Sequence, residues 1–486
     1  MEHRWLLVYD RYEGLSENAV NLLSGSISAY LHYVLPVKPA AELREEDILA
    51  NDLICVGTAA HPLLSTCLAS GLIRLPGKAQ GYAVHVGESC LAPERQLIAI
   101  CGEDEAGLYY GCADFCSRYC GDLLFREGYL WDAAHFVHPM ERKLTPWSVS
   151  SAPAISTRAI WTWGHMIYDY RGFFDNMALL RLNEAVIWND RAPLNAGAVT
   201  EYAHRLGIRV IWGFAWGWDT GFSVDPAKLD REALLQLKEN VLETYEREYA
   251  PAGGDGIYFQ SFTELNEDTV GGKCIAEVVT ELVNDIAGEL LRRHPNLHIQ
   301  FGLHATSVRT HLDVIAKTDP RVHIVWEDCG PFPWHYETDK TENFAESLEF
   351  TEKLVSLRGE NERFGAVLKG QMNLDWHNFE HFAQPYILGE RPAFFLRQRL
   401  WKQDRIWKYV QAGWMKNLPL VQKTLACIAS TGRETIVEAL VEDGMLEGRI
   451  SLPTALYAAL AWDPSRDPAE VLEETARSPF VGTANR

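Results

Sequence analysis

No stretch of this chain approaches the ~20 consecutive apolar residues of a membrane-spanning helix, so a helical membrane protein is not expected. Cations are scarce too. Lys and Arg number 45 against 66 Asp and Glu in 486 residues, a formal net charge of -21. That balance argues against DNA or an anionic membrane as partner, since both bind clustered cations. It leaves room for a small anion, which a few local Arg or Lys residues would hold. The N-terminus has one brief apolar run before Asp10 and Arg11, so no secretory signal and a cytoplasmic location are expected. The ten cysteines follow no framework spacing and read as reduced, mostly buried thiols. Cys112, Cys116 and Cys120 would share one helix face, but no ligand of a second kind stands nearby, so they read as core. No HExxH, CxxC, DxDxDG, Walker or GxSxG pattern occurs, and neither metal nor cofactor is expected.

What is present is a globular composition, 47% hydrophobic and 23% charged, with an unusual 16 tryptophans. Flat indole rings stack on the C–H faces of pyranosides, so such a surplus suggests a carbohydrate partner; a Trp-rich core is the alternative. Up to residue 143, short β-type runs such as WLLVYD, DLICVG, GYAVHVG and LIAICG precede a helical stretch, GEDEAGLYYGCADF. This reads as a small α/β domain. A Pro- and Ser-rich segment from Leu144 reads as a linker.

Beyond Arg158 strands and amphipathic helices alternate regularly. AIWTWGH, EAVIWND, RVIWGFAWGW, GIYFQSFTE, HIQFGLHAT, VHIVWEDCG and GAVLKGQMNLDW supply seven strands, with a weak eighth near QPYILG. The expectation is a parallel (β/α)8 TIM barrel over 144–393, followed by a helical extension over 394–486. An open doubly wound sheet is the competitor. Its phosphate-binding glycine loop is missing from the strand ends.

In such a barrel, function collects at the C-terminal ends of the strands. Those ends carry Trp163 and His165; Trp188 and Asp190; Trp216 and Trp218; Glu264; His304; Trp326, Glu327 and Asp328; and Lys369, Gln371 and Asp375. Glycoside cleavage needs two carboxyl groups flanking an oxocarbenium-like transition state, with aromatic platforms and hydroxyl ligands around them. Glu264 ends an apolar strand between Phe262 and Leu265, where a raised pKa would suit a general acid. Only one of Glu327 and Asp328 points inward, and Asp328, nearer the strand end, is preferred as the second carboxylate; Asp375 is its rival. The Trp residues and Asp190 would hold the sugar, and Lys369 first, with Arg158 and Arg171 next, would meet an acidic substituent. A sugar-binding or regulatory protein on the same scaffold, and a barrel isomerase or lyase acting on sugar acids, are the alternatives. Oligomeric state is left open, and a homo-oligomer is compatible.

GEDEAGLYYGCADF, RGFFDNMALLRLNEAVIWND and ALYAALAWDPSRDPAEVLEE together resemble the glycosidase clan of family 67 α-glucuronidases and family 20 β-hexosaminidases. The resemblance implies a small α/β domain before the barrel and an exo-acting glycosidase working on small oligosaccharides. Thr263–Glu264 matches the α-glucuronidase pattern of a Ser followed by the acid at the end of the fourth strand. The later acids depart from that pattern, and the Asp-Glu pair of the hexosaminidases is missing at Phe262-Thr263-Glu264.

Overall fold

The computed structural model describes residues 4–121, 140, 143–189, 191–217, 230–265, 267–304, 307–327, 344–371, 384–431, 433–441 and 446–482. The first β-type runs pair into one sheet. Trp5–Tyr9 (β1), Val37–Pro39 (β2), Asp52–Thr58 (β3), Tyr82–Glu88 (β4), Gln96–Gly102 (β5) and Trp147–Ser151 (β6) lie in the order β2-β1-β3-β5-β4-β6. Pairings among β1, β2, β3 and β5 are parallel, while β4 runs antiparallel to β5 and β6. Because the central strands are covered on both faces, their residues are apolar throughout. Trp5, Leu7 and Ile54 pack beneath helices Gly14–Ser28 and Glu105–Asp114, and Leu6, Val8 and Cys55 beneath helix Pro62–Ala69. Asp104 starts the Glu105–Asp114 helix by accepting from Gly107 N at 2.7 Å. The segment expected to be a linker from Leu144 thus contributes an edge strand, so the sheet reaches past residue 143.

The second unit is a closed barrel. Its strands are Thr157–Trp163 (β7), Glu184–Trp188 (β8), Arg209–Gly213 (β9) and Gly256–Gln260 (β10), then, after the small hairpin of Thr269–Val270 (β11) and Lys273–Cys274 (β12), His298–Leu303 (β13), Val322–Trp326 (β14), Phe364–Gln371 (β15) and Thr435–Val441 (β16). Every pairing around the ring is parallel. The period-2 alternation sorts the side chains. Ile160, Ile187, Trp212, Phe259, Phe301 and Ile324 face the surrounding helices, whereas Trp161, Val186, Ile211, Tyr258, Val325, Val367 and Leu440 fill the bore.

The closing strand corrects an expectation. QPYILG forms no strand: Pro385 has no N–H for a ladder, and Gly389 takes a φ of 64°. The barrel closes instead on TIVEALV, β16, which lies beyond a 37-residue helix, Ala393–Ala429. The first part of the stretch read as a helical extension is therefore the last β/α connection and strand. The helix Leu452–Trp462 then returns to the β7–β16 seam, where Tyr457 Oη is 2.9 Å from Ala159 O and 2.8 Å from Val437 O.

Arg158 secures the two units together. Fully buried, it donates to Ile155 O, Ser156 O, Arg181 O and Gln80 Oε1, and it lies 5.0 Å from the centroid of the Trp462 ring. It stands at the N-terminal end of β7, which excludes it as a ligand for a substrate at the opposite face.

Candidate active site

Three strands bring polar side chains together at the C-terminal mouth. Tyr258 and Gln260 alternate inward on β10, while His304 and Glu327 directly follow β13 and β14 on their inner faces. Glu327, only 4% exposed, accepts from Tyr258 Oη at 2.5 Å, from Gln260 Nε2 at 2.5 and 2.6 Å, and lies 2.7 Å from His304 Nε2. Its backbone N–H extends the ladder to Leu303 O at 3.1 Å. Gly302 makes this packing possible. A side chain there would collide with Glu327 Oε1 and Tyr258 Oη.

Burial opposes ionisation of Glu327, but the adjacent His304 imidazole, the Lys369 ammonium and the Tyr258 hydroxyl outweigh it. The carboxyl is held at about 2. Burial and the neighbouring anions Glu327 and Glu438 push the Tyr258 phenol well above its ordinary value. The group at the mouth is therefore a fixed anion whose hydrogen-bond partners are already in place.

Beside it stands an aromatic wall. The Trp161 and Trp188 rings stack with centroids 5.9 Å apart, and Trp163 meets Trp161 edge-on at 4.9 Å. All three are buried with Val325, Val367 and Leu440 in the upper bore. His165 follows β7 in a short 3-10 turn, Gly164–Met166, and is half-buried.

Glu264 ends a 3-10 turn, Phe262–Glu264, just past β10. The backbone around it is clamped to the next strand end. His304 N donates to Thr263 Oγ1 at 3.2 Å, Ser307 N donates to Thr263 O at 3.2 Å, and Ser307 Oγ donates to Leu265 O. The chain at Glu264 thus sits on the same rim as His304 and Glu327. Gln371 ends β15 after a register shift between Leu368 and Gln371. Asp190, Trp218, Asp328 and Asp375 lie outside the described residues.

Two expected sugar platforms are core residues. Trp326 is 1% exposed on the outer face of β14, where its ring meets Phe350 at 5.0 Å. Trp216 lies past the end of β9 and stacks on Phe259 at 3.5 Å, inside the layer between strands and helices. In both cases the aromatic faces are already covered. Lys369 is inward and buried, and its charge acts on Glu327. Tyr258, Gln260 and Glu438 were not singled out from sequence. The first two are the inward residues of GIYFQ, which strict alternation would have named.

Glu438 is the odd member of the interior. It is fully buried, both carboxylate oxygens lack a hydrogen-bond partner among the described residues, and burial followed by the charges of Glu184 and Glu327 pushes its pKa well up. Among the described residues no cluster of three or more His, Cys, Asp or Glu could hold a metal ion, and no helix is long and apolar enough to cross a membrane.

The solved structure of CpGH84B matches 98% of this chain and 70% of its own, with a TM-score of 0.53 and 10% identity. At that identity the likeness establishes the fold. The structure of CpGH84D is similar more loosely, over 75% of this chain and 57% of its own, at 12% identity and a TM-score of 0.44. No protein-family model and no curated protein matches the chain.

Proposed function

We propose that the chain is an exo-acting glycoside hydrolase for small oligosaccharides or glycosides, with Glu264 as the general acid. The observation that carries this reading is the buried Glu327 at the barrel mouth, held by donors from Tyr258, Gln260 and His304, with an indole wall beside it. A preorganised anion there favours the positive charge that develops on an oxocarbenium-like sugar. The oxygens of Glu327 are occupied by donors, which suits electrostatic stabilisation better than activation of water. We assign water activation to Asp328 or Asp375, which follow β14 and β15 in sequence.

Lys369 already has an anionic counterpart in Glu327. A neutral glycoside or an N-acetylhexosaminide therefore fits the site better than a uronide. The free cysteines of the described chain suit a reducing compartment, so we place the enzyme in the cytoplasm, acting on imported fragments.

Glu264→Gln tests the assignment. The amide is nearly isosteric but has no proton to give, so turnover of an unactivated glycoside should fall by roughly 10²–10⁴-fold. An aryl glycoside with a good leaving group should recover part of the rate. A panel of aryl glucosides, glucuronides and N-acetylhexosaminides names the sugar. Near-normal turnover of the unactivated substrate by the variant would remove Glu264 from the mechanism.

A further inference from the structure

At the opposite, N-terminal end of the barrel lies a cleft of about 590 Å³ between the barrel floor and the first sheet unit. Lys78 and Gln80 line it from the first unit, and Ser156, Thr157, Asn183, Arg209, Arg433 and Glu434 from the barrel side. We propose that this cleft binds a small di- or trianion carrying phosphate or carboxylate groups.

The argument rests on where the unused donors are. The neutral groups are occupied with one another: Asn183 Nδ2 donates to Gln80 Oε1 at 3.3 Å and Ser156 O at 2.9 Å, and Gln80 Nε2 to Ser156 O at 3.2 Å. The cations are only partly engaged. Arg209 sets both Nε and Nη2 2.9 Å from Glu184 Oε2, and Nη2 also donates to Thr157 Oγ1 at 2.9 Å, leaving Nη1 without a partner among the described residues. Arg433 gives Nη1 to Gly359 O and Nη2 to Glu360 Oε1, leaving Nε without a partner among the described residues. Lys78 gives one of its three N–H groups to Pro153 O at 2.5 Å.

Three cations therefore face one cleft with donors to spare, against one lining carboxylate, Glu434, and two flanking ones, Glu184 and Glu360. The cleft's size matches a metabolite rather than a single water or halide. Charge-assisted hydrogen bonds from guanidinium and ammonium groups are those that select phosphate and carboxylate.

The test uses the whole protein and three probes: inorganic phosphate, pyrophosphate and citrate, each at constant ionic strength made up with NaCl. The expected result is a saturable rise in Tm of about 1–3 °C at tenfold excess over Kd for at least one probe. Calorimetric titration should give a matching Kd. Lys78→Gln/Arg433→Gln, which leaves the Arg209–Glu184 pair intact, should weaken that Kd at least tenfold without changing glycosidase turnover. A response to phosphates alone assigns a phosphorylated ligand, and a response to citrate alone a polycarboxylate. No saturable response to any probe, or the same response in the double variant, overturns the proposal. Because the cleft is remote from the mouth, neither result bears on the glycosidase reading.

Discussion

Replacing Glu327 by Gln probes the anion on which the mouth is built. Three donors converge on this carboxylate, and an amide presents two further N–H groups to them. In the folded protein the carboxyl titrates at about 2, against an ordinary value near 4.5. A depressed folded pKa contributes stability above the unfolded value, and that contribution is lost as pH falls through the folded one. The difference of ~2.5 pH units corresponds to about 3 kcal/mol at pH 7 and to about half of that at pH 3. Glu327→Gln should therefore be destabilised by about 3–5 kcal/mol at pH 7, as when a buried pair loses one partner. The gap from wild type should narrow by about 2 kcal/mol at pH 3. Urea unfolding of both proteins at the two pH values measures this. A gap that is constant or wider at pH 3, or a variant as stable as wild type at pH 7, would refute the claim that Glu327 is a fixed anion.

The remaining expectations concern neighbouring positions. Trp326→Ala should cost about 3–5 kcal/mol in stability, because the ring fills the layer against Phe350, while the folded fraction keeps its sugar affinity; weakened affinity at unchanged stability would return Trp326 to the site. Glu438→Met removes two unpartnered buried oxygens and should stabilise the protein by about 1–3 kcal/mol at pH 7. The raised folded pKa of Glu438 means that wild type loses stability as pH rises from the unfolded value toward the folded one, so the advantage of the variant should grow above pH ~4.5. Thermal melts at pH 4, 6 and 8 decide this, and a variant less stable than wild type at all three would show that Glu438 has a partner.

The barrel was legible because its rhythm is local. Each strand of β7 to β10 and β13 to β15 is a short apolar run next to an amphipathic helix, and such runs declare themselves without knowledge of their partners. β16 was not legible, since a 37-residue helix separates it from the previous strand and its centre carries Glu438. The site was half legible for a related reason. Position along a strand is written in the sequence, and it named Glu327, His304 and Lys369. Facing direction depends on where a strand starts and stops. Extending β9 past Gly213 turned Trp216 into a platform, and counting Trp326 as a strand end placed an outward ring in the mouth. Tyr258 and Gln260 lay one alternation further in, where no charge drew notice.

The late position of β16 has a consequence for biosynthesis. Ser156, at the threshold of the first barrel strand, hydrogen-bonds to Thr435, 279 residues further along the chain. At a translation rate of roughly 5–20 residues per second, the ribosome takes on the order of tens of seconds to cover that interval. Throughout it β7 is an unpaired edge of an open parallel sheet, and β15 becomes a second one once it is made; such edges recruit strands from other chains. The emerging barrel therefore stays open to strand recruitment until roughly the last tenth of the chain arrives, and a product cut short before Thr435 is expected to aggregate.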